Sequence, residues 1–194
     1  MKKVLYLAFL FLISISFYNC KKTGDSGVNS STNQNGFTIN SIFFNTEKAG
    51  IAIANDTFAL IFYSTSVSFD QNEQKWKGIG HAVEYNELIS SNIVNGFPVG
   101  NFIFYKDPQI GYFTDATSRT NYNFTADTGI ERECVRGYIN ISKTGNQFQI
   151  TYNLKNDDSS LLVGKFNGPL PDITNWFDGK KLKTRIKFPT KKIK

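Results

Sequence analysis

From Phe37 onward, apolar and polar residues alternate in short runs broken by Gly, Asn and Asp. No long segment repeats apolar residues at spacings of three and four, so helix is expected to be scarce. Strands are expected at 37–44, 50–54, 57–65, 80–88 and 100–105, with shorter ones at 111–116 and 122–126. The run 57–65 is apolar at both odd and even positions, which marks a central strand covered on each side. In 80–88, His81, Val83 and Tyr85 share one face, and Ala82, Glu84 and Asn86 share the other.

The clearest hairpin runs from 134–142 through Lys143-Thr144-Gly145-Asn146 into 147–154. In its second arm Phe148, Ile150, Tyr152 and Leu154 alternate with Gln147, Gln149, Thr151 and Asn153, a half-buried strand with one wet face. A further strand is expected at 160–166. Gly168-Pro169-Leu170-Pro171 then breaks regular structure, and 172–177 suits one helical turn. Residues 181–188 alternate strictly, with Lys181, Lys183, Arg185 and Lys187 on one side, as in a charged edge strand. Eight to ten short strands at this spacing imply an all-β domain, either an antiparallel β-sandwich or a β-barrel.

The first twenty residues follow a different rule. Lys2 and Lys3 precede an almost wholly apolar run from Val4 to Ile15, and Cys20 closes the segment before a polar stretch. A dozen apolar residues match the core of an export signal and fall short of the roughly 20 that span a bilayer. Phe17-Tyr18-Asn19-Cys20 resembles the relaxed lipid-acceptor box of bacterial lipoprotein precursors, over residues 1–20. The segment Gly137-Tyr138-Ile139-Asn140-Ile141, with Gly145-Asn146, Ile150-Thr151-Tyr152 and Gly164-Lys165-Phe166-Asn167-Gly168, is similar to uncharacterised small β-rich lipoproteins of the Bacteroidetes type. The resemblance implies cleavage before Cys20, acylation of Cys20, and a cell-envelope protein on the outer membrane. The organisation expected is a signal peptide at 1–19, a lipidated flexible tether at 20–36, a β-domain at 37–178 and a basic segment at 179–194. The tether is expected because its small polar residues bury too little surface to offset the entropy of ordering.

Charge sharpens this division. The whole chain carries 22 basic and 16 acidic residues. Lys2 and Lys3 leave with the signal, and eight basic residues lie after Asp178; the remainder, 20–178, holds 12 basic against 16 acidic residues. The body is mildly acidic and the tail strongly basic. Such asymmetry points to a contact for the tail, and Lys181, Lys183, Arg185 and Lys187 are the candidate residues for an anionic surface. An exported protein is not expected to meet nucleic acid.

Candidate chemistry is sparse. His81 is the one histidine and shares a face with Val83 and Tyr85, which suits a packed imidazole better than a base. No Gly-x-Ser-x-Gly elbow accompanies it. With Cys20 acylated, Cys134 has no disulfide partner, and a lone thiol of this kind is expected to be buried. The loops 70–73 and 156–158 carry carboxylates, but hairpin turns use Asp and Asn there anyway. Glu84, Glu87, Asp107, Asp115, Glu131 and Glu133 supply enough carboxylates for a glycosidase pair, without any sequence sign that two converge. No metal and no cofactor is expected. Trp76, Tyr105, Tyr112 and Trp176 are the candidate ligand-binding rings, with core filling as their competing role.

The expected function is therefore a non-catalytic, envelope-anchored β-domain binding a glycan or a small apolar ligand. A structural lipoprotein that contacts another envelope protein is the alternative, and a glycan-active hydrolase the distant third.

Overall fold

The computed structural model describes residues 34–55 and 57–177. The readings over residues 1–33, including Cys20 and most of the tether, lie outside the described residues. So do those over 178–194, with Lys181, Lys183, Arg185 and Lys187.

The described residues are all-β, with fifteen strands and one turn of 3-10 helix at Thr174–Trp176. The strands are β1 (Gly36–Ile39), β2 (Ile42–Asn45), β3 (Lys48–Ala54), β4 (Thr57–Tyr63), β5 (Ser68–Asp70), β6 (Lys75–Lys77), β7 (Ile79–Ile89) and β8 (Ile93–Val94). They continue with β9 (Phe97–Pro98), β10 (Gly100–Phe104), β11 (Tyr112–Phe113), β12 (Asp115–Asn123), β13 (Thr128–Thr144), β14 (Gln147–Asn156) and β15 (Leu161–Gly168). Eleven of them form one sheet in the order β2-β1-β15-β14-β13-β10-β11-β7-β4-β3, and β12 fills the place between β13 and β7 over the other part of their length. Pairing is antiparallel throughout except between β10 and β11.

The sheet bends into a partial ring. Its two end strands, β2 and β3, are separated in sequence by Thr46 and Glu47 alone. The Ser64 hydroxyl donates to the Asn45 carbonyl (3.0 Å), and the His81 amide donates to the same hydroxyl (2.8 Å), which joins the β2 end to β4 and β7. The chain leaving β15 closes the edge of β3. The Ile51 amide donates to the Pro171 carbonyl (2.9 Å), and the Ile173 amide donates back to the Ile51 carbonyl (2.8 Å).

The inner side of the ring is a core of Phe37, Phe58, Leu60, Phe62, Tyr85, Phe113, Ile139, Tyr152 and Phe166, among others. These rings fill the interior: Phe62 lies 5.3 Å from Tyr152 and 5.5 Å from Phe166, and Tyr85 lies 5.3 Å from Phe113. Tyr152 fits because its register partner is Gly164, where a Cβ would fall 2.2 Å from the tyrosine ring.

A second apolar cluster lies outside the ring. Ala52, Ala59, Ile61, Tyr63 and Ala82 pack there beneath Val67, Trp76 and Ile173. β4 accordingly buries Phe58, Leu60 and Phe62 inward and Ala59, Ile61 and Tyr63 outward, as its two-faced apolar sequence implies.

Two segments differ from the sequence expectation for local reasons. The run 37–44 is a hairpin rather than one strand, because Asn40 and Ser41 take left-handed conformations (φ 50° and 67°) suited to a two-residue turn. β13 begins at Thr128, well before Cys134, because its charged start pairs with β12 and its Glu131 meets Arg119 there.

Candidate functional site

The outward positions of β10, β11, β14, β15 and the second half of β13 make an open face. On β14, Gln149, Thr151, Asn153 and Lys155 point away from the core while Ile150, Tyr152 and Leu154 point into it. Register then sets one outward residue of each strand in line: Phe43, Thr38, Val163, Asn153, Tyr138, Ile103 and Tyr112 run across β2, β1, β15, β14, β13, β10 and β11. Six inter-strand steps make a row about 29 Å long. Phe43 (40 % exposed), Val163 (40 %), Tyr138 (45 %) and Ile103 (48 %) are open to solvent. Tyr105 (45 % exposed) packs at a tilt against Tyr112 with ring centres 5.4 Å apart, extending the row at one end. Beside it runs a second line, Asn101, Asn140, Thr151 and Lys165. The side chains of Asn101, Asn140, Thr151 and Asn153 form no hydrogen bond with any described residue, so their donors and acceptors face water. Flat aromatic and aliphatic groups flanked by uncommitted amides can stack on a sugar ring and hydrogen-bond its hydroxyls.

The four candidate rings divide between two places. Tyr105 and Tyr112 stand on this open face. Trp76 is buried in the outer cluster, edge-on to Tyr63 (5.1 Å) and Phe69 (5.2 Å). Half-buried Trp176 stacks on Phe69 at 5.8 Å and lies 6.2 Å from Trp76. Tyr63, beneath Trp76, is in register with Ala82 of β7, whereas Tyr112 is in register with Ile89. Seven residues along one strand separate the two pairs by about 23 Å, so they belong to no common site. The tryptophans take the core-filling role.

The outward face of β7, β12 and β13 holds the charged residues instead. Arg119 is buried, with Nη1 2.8 Å from Glu84 Oε2 and Nε donating to Glu131 Oε2 at 2.6 Å. Tyr122 lies under the guanidinium at 5.4 Å. Burial pushes the Glu84 carboxyl above its usual range, and Arg119 opposes that shift. Burial also works against the Arg119 charge, but Glu84 and Glu131 outweigh it and hold the guanidinium protonated. Asp115 accepts from the Asn86 amide at 3.3 Å. Glu84 and Glu131 thus converge on an arginine rather than across a cleft.

The remaining candidates are held in structural contacts. His81 packs edge-on to Phe44 (5.1 Å), and its Nδ1 accepts from the Asn121 amide (3.1 Å), which a bulge in β12 turns toward it. Burial lowers the imidazole pKa, while Glu47 pulls it upward. Cys134 is a buried free thiol that donates to the Arg136 carbonyl (3.3 Å), and burial raises its pKa to about 12. In the 70–73 loop, Asp70 accepts the amides of Asn72 and Glu73, and both Asp70 and Glu73 lie 2.7 Å from Lys77 Nζ. Asp158 binds Ser160 and Arg132, which lower its pKa to about 2. No three His, Cys, Asp or Glu side chains among the described residues are grouped to hold a metal ion.

The sequence pattern marks Gln149, Thr151 and Asn153 as wet but gives no sign that Tyr138, Ile103 and Val163 stand in line with them. Their alignment comes from strand register alone.

What these features define is an all-β, barrel-like protein with a filled interior and one open outward face. Comparison with protein-family models, with curated proteins and with solved structures gives no match.

Proposed function

We propose that this chain is an envelope-anchored lipoprotein whose non-catalytic β-domain binds a glycan on the outward face of β10, β11, β13, β14 and β15. The observation that carries this is the cross-strand row Val163–Asn153–Tyr138–Ile103–Tyr112, in which Val163, Tyr138 and Ile103 are exposed, bordered by uncommitted amides. Stacking on Tyr138 and Tyr112 supplies the contact area. Asn101, Asn140 and Asn153 supply directed hydrogen bonds. The ring-filled interior favours this outer face over an enclosed apolar ligand. Engagement of Glu84 and Glu131 with Arg119 supports binding without catalysis.

The test is a thermal-shift and affinity screen of the protein against glycans, fatty acids and divalent cations. A ligand specific to the folded state raises the melting temperature by mass action. A glycan that shifts the parent but not Tyr138→Ala or Tyr112→Ala bears out the reading. A panel with no active glycan overturns it.

The anchoring half of the proposal rests on Lys2-Lys3, the apolar run 4–15 and Cys20. Two or more acyl chains at Cys20 hold a protein stably on a membrane. Cys20→Ala is expected to release the protein from the membrane fraction, and retention would refute acylation. A second reading, contact with another envelope protein, draws on the apolar residues of the row: Phe43, Val163 and Ile103 form exposed surface that a protein could cover. Cross-linking in whole cells that maps to these residues would favour it.

A further inference from the structure

The middle of the open face is free of acid; the exposed Glu133 and Asp157 lie just beyond Arg136 and Lys155, at the end of the face. No Asp or Glu occurs in residues 136–156, in Leu161–Gly168 or in Gly100–Phe104, although acids outnumber bases over 20–178. Three cations point outward there: Arg136, Lys155 and Lys165. Arg136 and Lys155 are register partners on neighbouring strands, and like charges directly opposite each other repel. None of the three has an ion-pair partner among the described residues. The next position across from Lys155 is Leu161, so no carboxylate closes that line either. On the covered side of the same sheet the arrangement is reversed, and Arg119 meets Glu84 and Glu131 within 3 Å. Arg136 is two residues from Tyr138, and Lys155 two from Asn153, so the cation pair lies about 7 Å to one side of the aromatic row. Lys165, two residues from Val163 in the opposite sense, lies on its other side.

From this we infer that the ligand of the open face is an acidic polysaccharide, a polymer bearing uronic-acid carboxylates. This rests on the glycan reading above and specifies its chemistry. The sugar rings lie on Tyr138, Ile103 and Tyr112, and a carboxylate is held between Arg136 and Lys155, whose mutual repulsion it relieves. A carboxylate there makes charge-assisted hydrogen bonds that a neutral sugar lacks.

The experiment measures binding of the full chain to polygalacturonate and to the same polymer with its carboxyls methyl-esterified, at low ionic strength. Esterification is expected to weaken binding by about tenfold or more. Arg136→Gln/Lys155→Gln should lose about tenfold on the acid polymer and nothing on the ester. The eight basic residues after Asp178 are present in parent and variant alike, so the difference reports the face. The double variant should melt no lower than the parent, because a repulsive pair has been removed. Lys155→Glu, which sets a carboxylate opposite Arg136, is the second variant and should lose the acid polymer with the fold kept. Equal binding of acid and ester overturns the inference and leaves the glycan reading standing. Binding of neutral glycans alone does the same. No binding of any glycan removes both. Capture by phosphatidylglycerol vesicles in preference to polygalacturonate, unchanged in the double variant, also overturns it.

Discussion

β4 and β14 belong to the same sheet and contribute to the same inner core, yet their outer sides could hardly differ more. Outside β4, Ala59, Ile61 and Tyr63 lie under Trp76, Val67 and Ile173. Outside β14, Gln149, Thr151 and Asn153 meet water. The covered half of the sheet is a sandwich of two packed layers, and the open half has one. Charge follows the same division. Where the outer side is covered, a buried cation brings its own carboxylates; where it is open, the cations have no ion-pair partner among the described residues. The covered side is therefore committed to stability and the open side is free to bind. Substitutions on the two sides should behave accordingly.

The largest effect is expected at Arg119. Arg119→Ala strands the buried Glu84 carboxylate and should cost about 3–5 kcal/mol in urea unfolding. Replacing Glu84 and Arg119 together by Leu and Met should recover much of that loss. A loss no greater than that of an exposed ion pair would mean that the covered half is not dry.

Beneath the open half, Gly164→Ala drives a methyl group against the Tyr152 ring and should cost about 1–3 kcal/mol, since this half has packing on one side alone to absorb it. An unchanged urea midpoint would show that the tyrosine has room to move.

On the open face itself, Tyr138→Ala should change stability by less than about 0.5 kcal/mol and abolish glycan-dependent thermal stabilisation. Stability and binding separate at this residue if the comparison holds. A large loss of stability would place Tyr138 in the packing instead.

The smallest effect concerns acid. His81 is held neutral by burial, with a folded pKa below the unfolded value near 6.5. The unfolded chain binds the proton more readily. The stability linked to His81 is thus complete above about pH 6.5 and is lost as pH falls through the folded pKa. His81→Gln should flatten the pH dependence of the melting temperature in that window, and an unaltered slope would assign the effect to another group.

Much of this division is written in the strands one at a time. Apolar residues at every position of 58–63 announce a strand with two dry sides, and strict alternation in 147–154 announces one wet side. The turns expected at 143–146 and 156–159 are equally plain. Trp76 and Tyr138 are the counterexamples. Both are large aromatics flanked by basic residues along their strands, and nothing nearby tells that one is covered by the chain around residue 176 while the other faces water. The charged start of β13 also resembles a loop until Arg119, contributed by β12, meets its Glu131.

The sequence by itself determined that the domain is all-β, where most strands run, and which side chains share a face of their own strand, because alternation along a strand is a local property of the backbone. Only the tertiary structure decided that Tyr138, Ile103, Tyr112 and Val163 form one row, that Trp76 is core, and that Arg136 faces Lys155. Those are matters of register between strands distant in sequence, which is set by the packing of the whole core rather than by any short stretch of chain.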